Sequence, residues 1–280
     1  MKRILITGKD SYIGTSVEKW LMKEPDKYQI HTIDMQNETW RDHDFSPYYV
    51  VFHVAGIAHI KETRENEHLY YRVNRDLAYD TAQKAKQDGV DQFIFLSSMS
   101  VYGIHNGIIK VDTPTKPINA YGKSKLEAEQ LIIELQDQMF KIALLRPPMV
   151  YGKNCKGNYQ KLAKFALRTP IFPDIDNKRS MIYIDNLSEF VKLLIDKKWG
   201  GIFVPQNAEY VRTSEMVELI SKAHGKQIVM TKLFNTIIRL ININVFNKLF
   251  DDMIYDKSMS EYEVDYEACS FEESIMRTEL

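Results

Sequence analysis

The stretch ILITGKDSYIGTSV (residues 4–17) constrains the fold more than any other feature of this chain. An apolar run, Ile4–Thr7, turns at Gly8 straight into a helical pattern with Gly14 in its opening turn. A fully apolar strand has to be covered on both faces, so strand-to-helix alternation of this kind implies a parallel sheet. The alternation continues. Ile30–Asp34, Val50–Ala55, Phe93–Ser97 and Ile142–Arg146 read as further buried strands, and Ile13–Lys23, Tyr71–Gln87 and Tyr121–Gln138 as helices between them. Right-handed crossovers then give an α/β fold, a doubly wound parallel sheet with its site at the carboxyl ends of the strands. The Pro147–Pro148 pair must leave that sheet.

Beyond Val150 the pattern loosens. Gly152–Asn158 and Pro170–Arg179 interrupt short helices, as in an irregular C-terminal lobe. The expectation is a sheet domain over 1–150 and a smaller lobe over 151–280, with some later segments returning to the sheet. Phe234–Phe250 is strongly apolar, with Arg239 and Lys248 as its only charges. A buried helix of the lobe is the preferred reading, and a helix on a membrane surface or over a cleft the alternatives.

Composition narrows the function. With 37 basic and 38 acidic residues the formal net charge is −1, so bulk attraction for nucleic acid is absent. The seven His residues show no metal-ligand spacing, and no metal is expected. Cys155 and Cys269 stand far apart, which suits a reducing compartment. The start MKRILITGKD is too short in apolar residues for a secretory segment, and no run approaches the roughly 20 apolar residues of a membrane span. A cytoplasmic protein without stable membrane insertion is expected.

Several residues carry chemistry. Gly8 permits a tight turn, Gly14 lets the helix pack close to the sheet, and the amides around Ser11, Tyr12 and Ile13 at the helix start suit a pyrophosphate. An ordinary strand–turn–helix would carry the same glycines. Asp34 ends the second strand about 20 residues past Gly14, where it can accept from a ribose 2′-hydroxyl and repel a 2′-phosphate. No Arg or Lys follows at 35–38, so NAD is preferred over NADP. In INAYGKSKLEAEQL, Tyr121 and Lys125 are four apart on one helix face. A free tyrosine, with a pKa near 10, is a poor base at neutral pH. An adjacent ammonium and a cationic nicotinamide would bring it into range. Upstream, FIFLSSMSVYG opens a strand into a Ser-rich turn whose hydroxyl can bond a sugar hydroxyl or ketone.

Together these residues resemble the extended short-chain dehydrogenases, the NAD-dependent epimerase/dehydratase family, whose fold is Rossmann-like. TGKDSYIG resembles the family's TGxxGxxG and YGKSK its YxxxK, and the resemblance covers residues 1 to about 190. It implies a catalytic set of Ser98, Tyr121 and Lys125. It also implies cofactor contacts at Val54, Ala55 and Gly56 (in HVAG), Asn74 (in RVNRDL) and Pro148. Substrate contacts are implied at Ser98, Met149, Asn158 and Arg179. Two departures stand out. Ser11 replaces the middle glycine of the loop, and Met149 stands where epimerases carry an Asn. Met99 and Ser100 occupy the positions where sugar dehydratases need an Asp–Glu pair, which leaves chemistry at one carbinol. The resemblance therefore implies a nucleotide-sugar 4-epimerase acting on a UDP-hexose or UDP-N-acetylhexosamine, as a homodimer. A nucleotide-sugar 4-ketoreductase using NAD(P)H is the alternative, and a non-catalytic dinucleotide-binding regulator a third.

Overall fold

The computed structural model describes residues 1–58, 60–233, 235 and 250–280. Most of the apolar stretch 234–250 thus lies outside the described residues. The chain divides into two compact units: Met1–Gly103, Pro114–Pro147 and Leu187–Pro205 form the first, and Ile104–Thr113, Pro148–Asn186 and Gln206–Leu280 the second.

The first unit is built on β1 (Lys2–Thr7), α1 (Tyr12–Leu21), β2 (Tyr28–Ile33) and β3 (Val50–His53). There follow α2 (Glu67–Tyr70), a π-helical turn over Tyr71–Asp76, α3 (Leu77–Gln87) and β4 (Gln92–Leu96). Strand β5 (Gly107–Ile109) belongs to the second unit; α4 (Ala120–Ile133), β6 (Lys141–Leu145) and, much later, β10 (Gly201–Phe203) complete the first. Its six strands run parallel in the order β10-β6-β4-β3-β1-β2. The winding reverses between β1 and β3, so their carboxyl ends diverge and leave a crevice there. Thr7 and His53, the last residues of these two strands, are joined by a 2.8 Å Oγ1···Nδ1 contact.

Residues of the β1, β3, β4 and β6 strands, among them Leu5, Val51, Phe93 and Leu144, are buried in one cluster with Ala78, Ala82 and Ala85 of α3 and Ala128 and Ile132 of α4. Small residues on the inner faces of both helices let them lie close to the sheet. Each large apolar side chain buried there contributes roughly 1.5–3 kcal/mol. Helix α4 starts at the Asn119 cap, whose side chain accepts from the Gly122 amide at 2.8 Å. It ends at Ile133, five residues short of the Gln138 expected from periodicity. The reason is local: the Asp137 carboxylate accepts the amides of Met139 and Phe140, both at 2.8 Å, and turns the chain toward β6.

The second unit contains β7 (Met149–Tyr151), α5 (Asn158–Ala166), β8 (Ile171–Pro173), β9 (Met181–Tyr183) and the start of α6 (Ile184–Lys197). It also holds α7 (Thr213–Ala223), β11 (Val229–Thr231), β12 (Met253–Tyr255) and a last helix, α8 (Phe271–Glu279). Its strands pair two by two, β11 with β8, β12 with β5 and β7 with β9, while α5 and α8 pack on α7. Among the described residues no helix is long and apolar enough to cross a membrane.

Candidate active site

The phosphate loop sits at the crevice. Gly8 has φ +96°, and a Cβ there would stand 2.9 Å from the Ala55 amide nitrogen. Only glycine allows the loop to lie this close to the end of β3. A Cβ on Gly14 would stand 2.9 Å from Val54 Cγ2, so this glycine sets the approach of α1 to the sheet. Ser11 does not disturb the loop. Its backbone is extended (φ −69°, ψ 140°), which any residue adopts, and its hydroxyl caps α1 by accepting from the Gly14 amide at 3.2 Å. The left-handed position falls instead on Asp10 (φ +62°), a residue type that tolerates it. The amides of Gly8 and Lys9 both bond the Ile33 carbonyl, at 3.0 and 3.1 Å, which ties the loop to the strand end carrying Asp34. Asp34 is exposed there and accepts the Gln36 amide at 2.9 Å. A glycine cradle against Ala55, the amino-terminal end of α1 and an exposed acid beside the loop form a set that fits a dinucleotide with a free ribose 2′-hydroxyl.

Beneath this lies the segment 54–57. Val54 and Ala55 are buried, and Ile57 is clamped by Asn74, whose Oδ1 accepts the Ile57 amide at 2.8 Å while Nδ2 donates to the Ile57 carbonyl at 3.1 Å. Asn74 comes from the π-helical turn, a break in regular helix geometry of the kind often found beside functional sites. Its Nδ2 also reaches Ser124 Oγ at 3.2 Å, locking the turn to α4. Its role in the structure is to position the loop.

The proposed catalytic side chains converge in the first unit. Ser98 follows β4, and its hydroxyl caps the next turn by accepting the Ser100 amide at 3.1 Å. The same hydroxyl acts on the Tyr121 phenol and favours its ionised form. Tyr70 lies edge-on to the Tyr121 ring, with centroids 6.5 Å apart, and Tyr70 Oη holds the Ile60 carbonyl at 2.7 Å. Lys125, one turn further along α4, is 4% exposed. Its Nζ donates to the Leu96 carbonyl at 2.7 Å, lies 4.6 Å from the Phe95 ring centroid and would be 3.3 Å from a Cβ on Gly56.

The electrostatics differ from the simple picture of an ammonium acidifying a phenol. Burial pushes the Tyr121 phenol above its ordinary value, the Ser98 hydroxyl pulls it part of the way back, and Tyr70 adds a small upward push. Lys125 spends its hydrogen bond on Leu96, and burial pulls it down to about 7, against a smaller upward pull from Glu129. The spacing of four residues puts both side chains on one face, as expected, but burial outweighs their mutual field.

Two further groups were not singled out in the sequence. Glu129 and Arg146 form a buried ion pair with contacts of 2.9 Å (Nε–Oε1) and 2.5 Å (Nη2–Oε2), and Arg146 Nη1 donates to Tyr102 Oη at 2.9 Å. This network joins α4, the end of β6 and the turn after Ser98, so it fixes the three elements that carry the catalytic side chains. Glu62 accepts the Ala120 amide at 3.0 Å, at the start of α4. The available signal for Glu129 was its place four residues after Lys125, on the same helix face.

The remaining expected residues belong to the second unit. Pro148 is buried and Met149 half-buried at the start of β7. Asn158 is exposed as the first residue of α5, following Gly157 at φ +99°. Arg179 is half-buried and donates to the Asp251 carbonyl at 3.0 Å.

A doubly wound sheet with a glycine cradle at its switch point and a set of half-buried Tyr121 and Ser98 with buried Lys125 defines a dinucleotide-dependent enzyme working at a carbinol or carbonyl. Comparison with known proteins agrees. The profile of the NAD dependent epimerase/dehydratase family matches residues 4–204. The chain is 29% identical over 251 residues to UDP-glucose 4-epimerase of Vibrio cholerae, a match spanning 80% of this chain and 76% of that one. In fold it resembles UDP-glucuronic acid 4-epimerase from Bacillus cereus in complex with NAD (TM-score 0.76, 19% identity, covering 98% and 96% of the two chains). It also resembles dTDP-4-dehydrorhamnose reductase from Bacillus anthracis in complex with NADP (TM-score 0.74, 18% identity, 99% and 98%). The chain belongs to the NAD dependent epimerase/dehydratase family, and is an NAD-dependent enzyme of the epimerase/reductase kind.

Proposed function

We propose that the reaction is 4-epimerisation of a nucleotide sugar, a UDP-hexose or UDP-N-acetylhexosamine, in the cytoplasm and in a homodimer. The observation that carries this reading is the convergence of Ser98, Tyr121 and Lys125 at the end of β4 and on α4, beside a turn in which Met99 and Ser100 supply no carboxylate. Bound NAD supplies the hydride acceptor and donor at carbon 4. Tyr121 Oη takes the proton of the 4-hydroxyl as the carbon is oxidised, and returns it on reduction. Ser98 Oγ donates to the developing keto oxygen and keeps it against the phenol. Lys125 and Asp34 serve the ribose hydroxyls of the cofactor, and the loop at Gly8, Ser11, Tyr12, Ile13 and Gly14 its pyrophosphate. Asn74 holds Val54, Ala55 and Gly56 under it, and Pro148 is a further cofactor contact. Met149, Asn158 and Arg179 are the proposed substrate contacts. With no acid–base carboxylate pair, elimination of water does not compete. Tyr121→Phe lowers turnover of UDP-sugars by about a thousandfold while NAD affinity stays within a fewfold; undiminished turnover refutes the assignment.

One observation favours a 4-ketoreductase as the second reading: Met149 stands where the epimerases carry an Asn, so the substrate side of the site is altered. Purified protein separates the two. An epimerase retains tightly held NAD and needs none added, whereas a reductase consumes NADH or NADPH stoichiometrically with a 4-keto sugar nucleotide.

A further inference from the structure

Charge is unevenly spread along this nearly neutral chain. From Met149 to Pro173 there are five cations (Lys153, Lys156, Lys161, Lys164, Arg168) and no acid. From Leu219 to Phe250 there are five more (Lys222, Lys226, Lys232, Arg239, Lys248), again with no acid. The fold of the second unit brings the described part of the second stretch, around Lys226–Thr231, against the first. Strands β8 and β11 pair in parallel with Ile171 opposite Val229, and the Val229 amide bonds the Pro170 carbonyl at 2.9 Å. Lys226 Nζ crosses to the end of α5 and donates to the carbonyls of Ala166, Leu167 and Thr169 at 3.3, 2.7 and 2.9 Å.

The outer face of this joint is apolar and open to solvent. Ile171 is 46% exposed, Val229 61% and Leu233 82%, with Leu167 and Phe165 exposed at its margin. Around it Lys161, Lys164 and Arg168 are exposed and have no acidic partner among the described residues. Asp174 is held by Arg212 at 2.9 Å and lies 3.9 Å from Lys232, and Lys222 pairs with Glu272 at 2.8 Å. Asn235 is anchored on the Asp174 carbonyl at 2.7 Å and Phe250 lies 5.7 Å from Phe172, ring to ring. Exposed aliphatic side chains rimmed by unpaired cations match the interfacial layer of an acidic membrane, where apolar groups enter the acyl boundary and cations meet headgroups.

We propose that this face docks the protein reversibly on an anionic lipid bilayer. It does so independently of the reaction assigned to the first unit. Each cation brought to such a surface strengthens binding about fivefold, and added salt screens it. The test is co-sedimentation of the full chain with vesicles of phosphatidylglycerol and phosphatidylcholine against vesicles of phosphatidylcholine alone. The expected result is at least tenfold tighter partitioning to the acidic vesicles, falling severalfold between 50 and 500 mM salt. Val229→Glu with Leu233→Glu, and separately Lys164→Glu with Arg168→Glu, lower that partitioning at least tenfold without moving the thermal midpoint or NAD affinity. Equal binding to both vesicle types, or wild-type partitioning of both variants, overturns the proposal. So does a change in native mass of the variants without lipid, which would assign the face to a second copy of the chain.

Discussion

Replacing Lys125 by methionine keeps the length and apolar stem of the side chain and removes its charge. In the folded protein the ammonium is buried and titrates at about 7, against an ordinary value of 10.5. A difference of about 3.5 units corresponds to about 5 kcal/mol at 1.36 kcal/mol per unit, which is the destabilisation caused by holding the cation in this site at acid to neutral pH. The sign follows from proton binding. Between pH 7 and 10.5 the unfolded chain carries the extra proton and the folded chain does not, so the wild-type gains stability as pH rises through that window. Methionine abolishes this contribution but leaves the Leu96 carbonyl without its 2.7 Å donor, a loss of about 1–3 kcal/mol. At pH 7 the variant is therefore expected to be more stable by about 2 kcal/mol and inactive. At pH 10, where about 1 kcal/mol of the penalty remains, the order is reversed by about 1 kcal/mol. Urea unfolding of both proteins at half-unit steps from pH 6.5 to 10 measures the gap directly. A gap that does not change with pH would mean that Lys125 titrates normally, and the burial argument would fail.

Two other substitutions probe the scaffold. Gly8→Ala places a Cβ 2.9 Å from the Ala55 amide at a φ of +96°, so it strains the loop by about 1–3 kcal/mol; NAD affinity measured by calorimetry should fall about tenfold or more with little change in the rest of the fold. Glu129→Gln strips the charge partner from Arg146 in a buried setting and should lower the urea unfolding free energy by about 3 kcal/mol, whereas Glu129→Leu combined with Arg146→Met should lose less than the single change. If the double variant is the less stable one, the pair contributes net attraction that outweighs its desolvation.

What was legible in the sequence is what local geometry dictates. The strand–turn–helix at Gly8 and the apolar strands are short-range consequences of residue type, and NAD preference follows from Asp34 at a strand end. The clamp by Asn74 was less visible, because RVNRDL gives no hint that the helix widens into a π turn at Tyr71–Asp76 and points the Asn at Ile57. The overrun of α4 to Gln138 has the same origin: ELQDQ is helix-friendly by composition, and only the two amides taken by Asp137 show where the chain must turn.

The electrostatics of the site were the least legible part, since spacing fixes which groups share a helix face but not how dry that face is. Tyr121 and Lys125 are four residues apart in any helix, yet the direction of each shift is set by β4, by the loop at Gly56 and by Phe95, which shield Lys125 from water and give its proton a single carbonyl. Burial disfavours the charged form of both groups, so it raises the phenol and lowers the amine. Their values are thereby drawn apart, an ammonium that gives up its proton easily beside a phenol that holds its own. A positive charge brought into the crevice beside Tyr121 would act in the opposite sense on the phenol, favouring its ionised form, while further depressing Lys125. Proton uptake by Tyr121 is thus coupled to the oxidation state of whatever cationic ring lies in the site, which is the property a hydride-transfer enzyme at a carbinol requires.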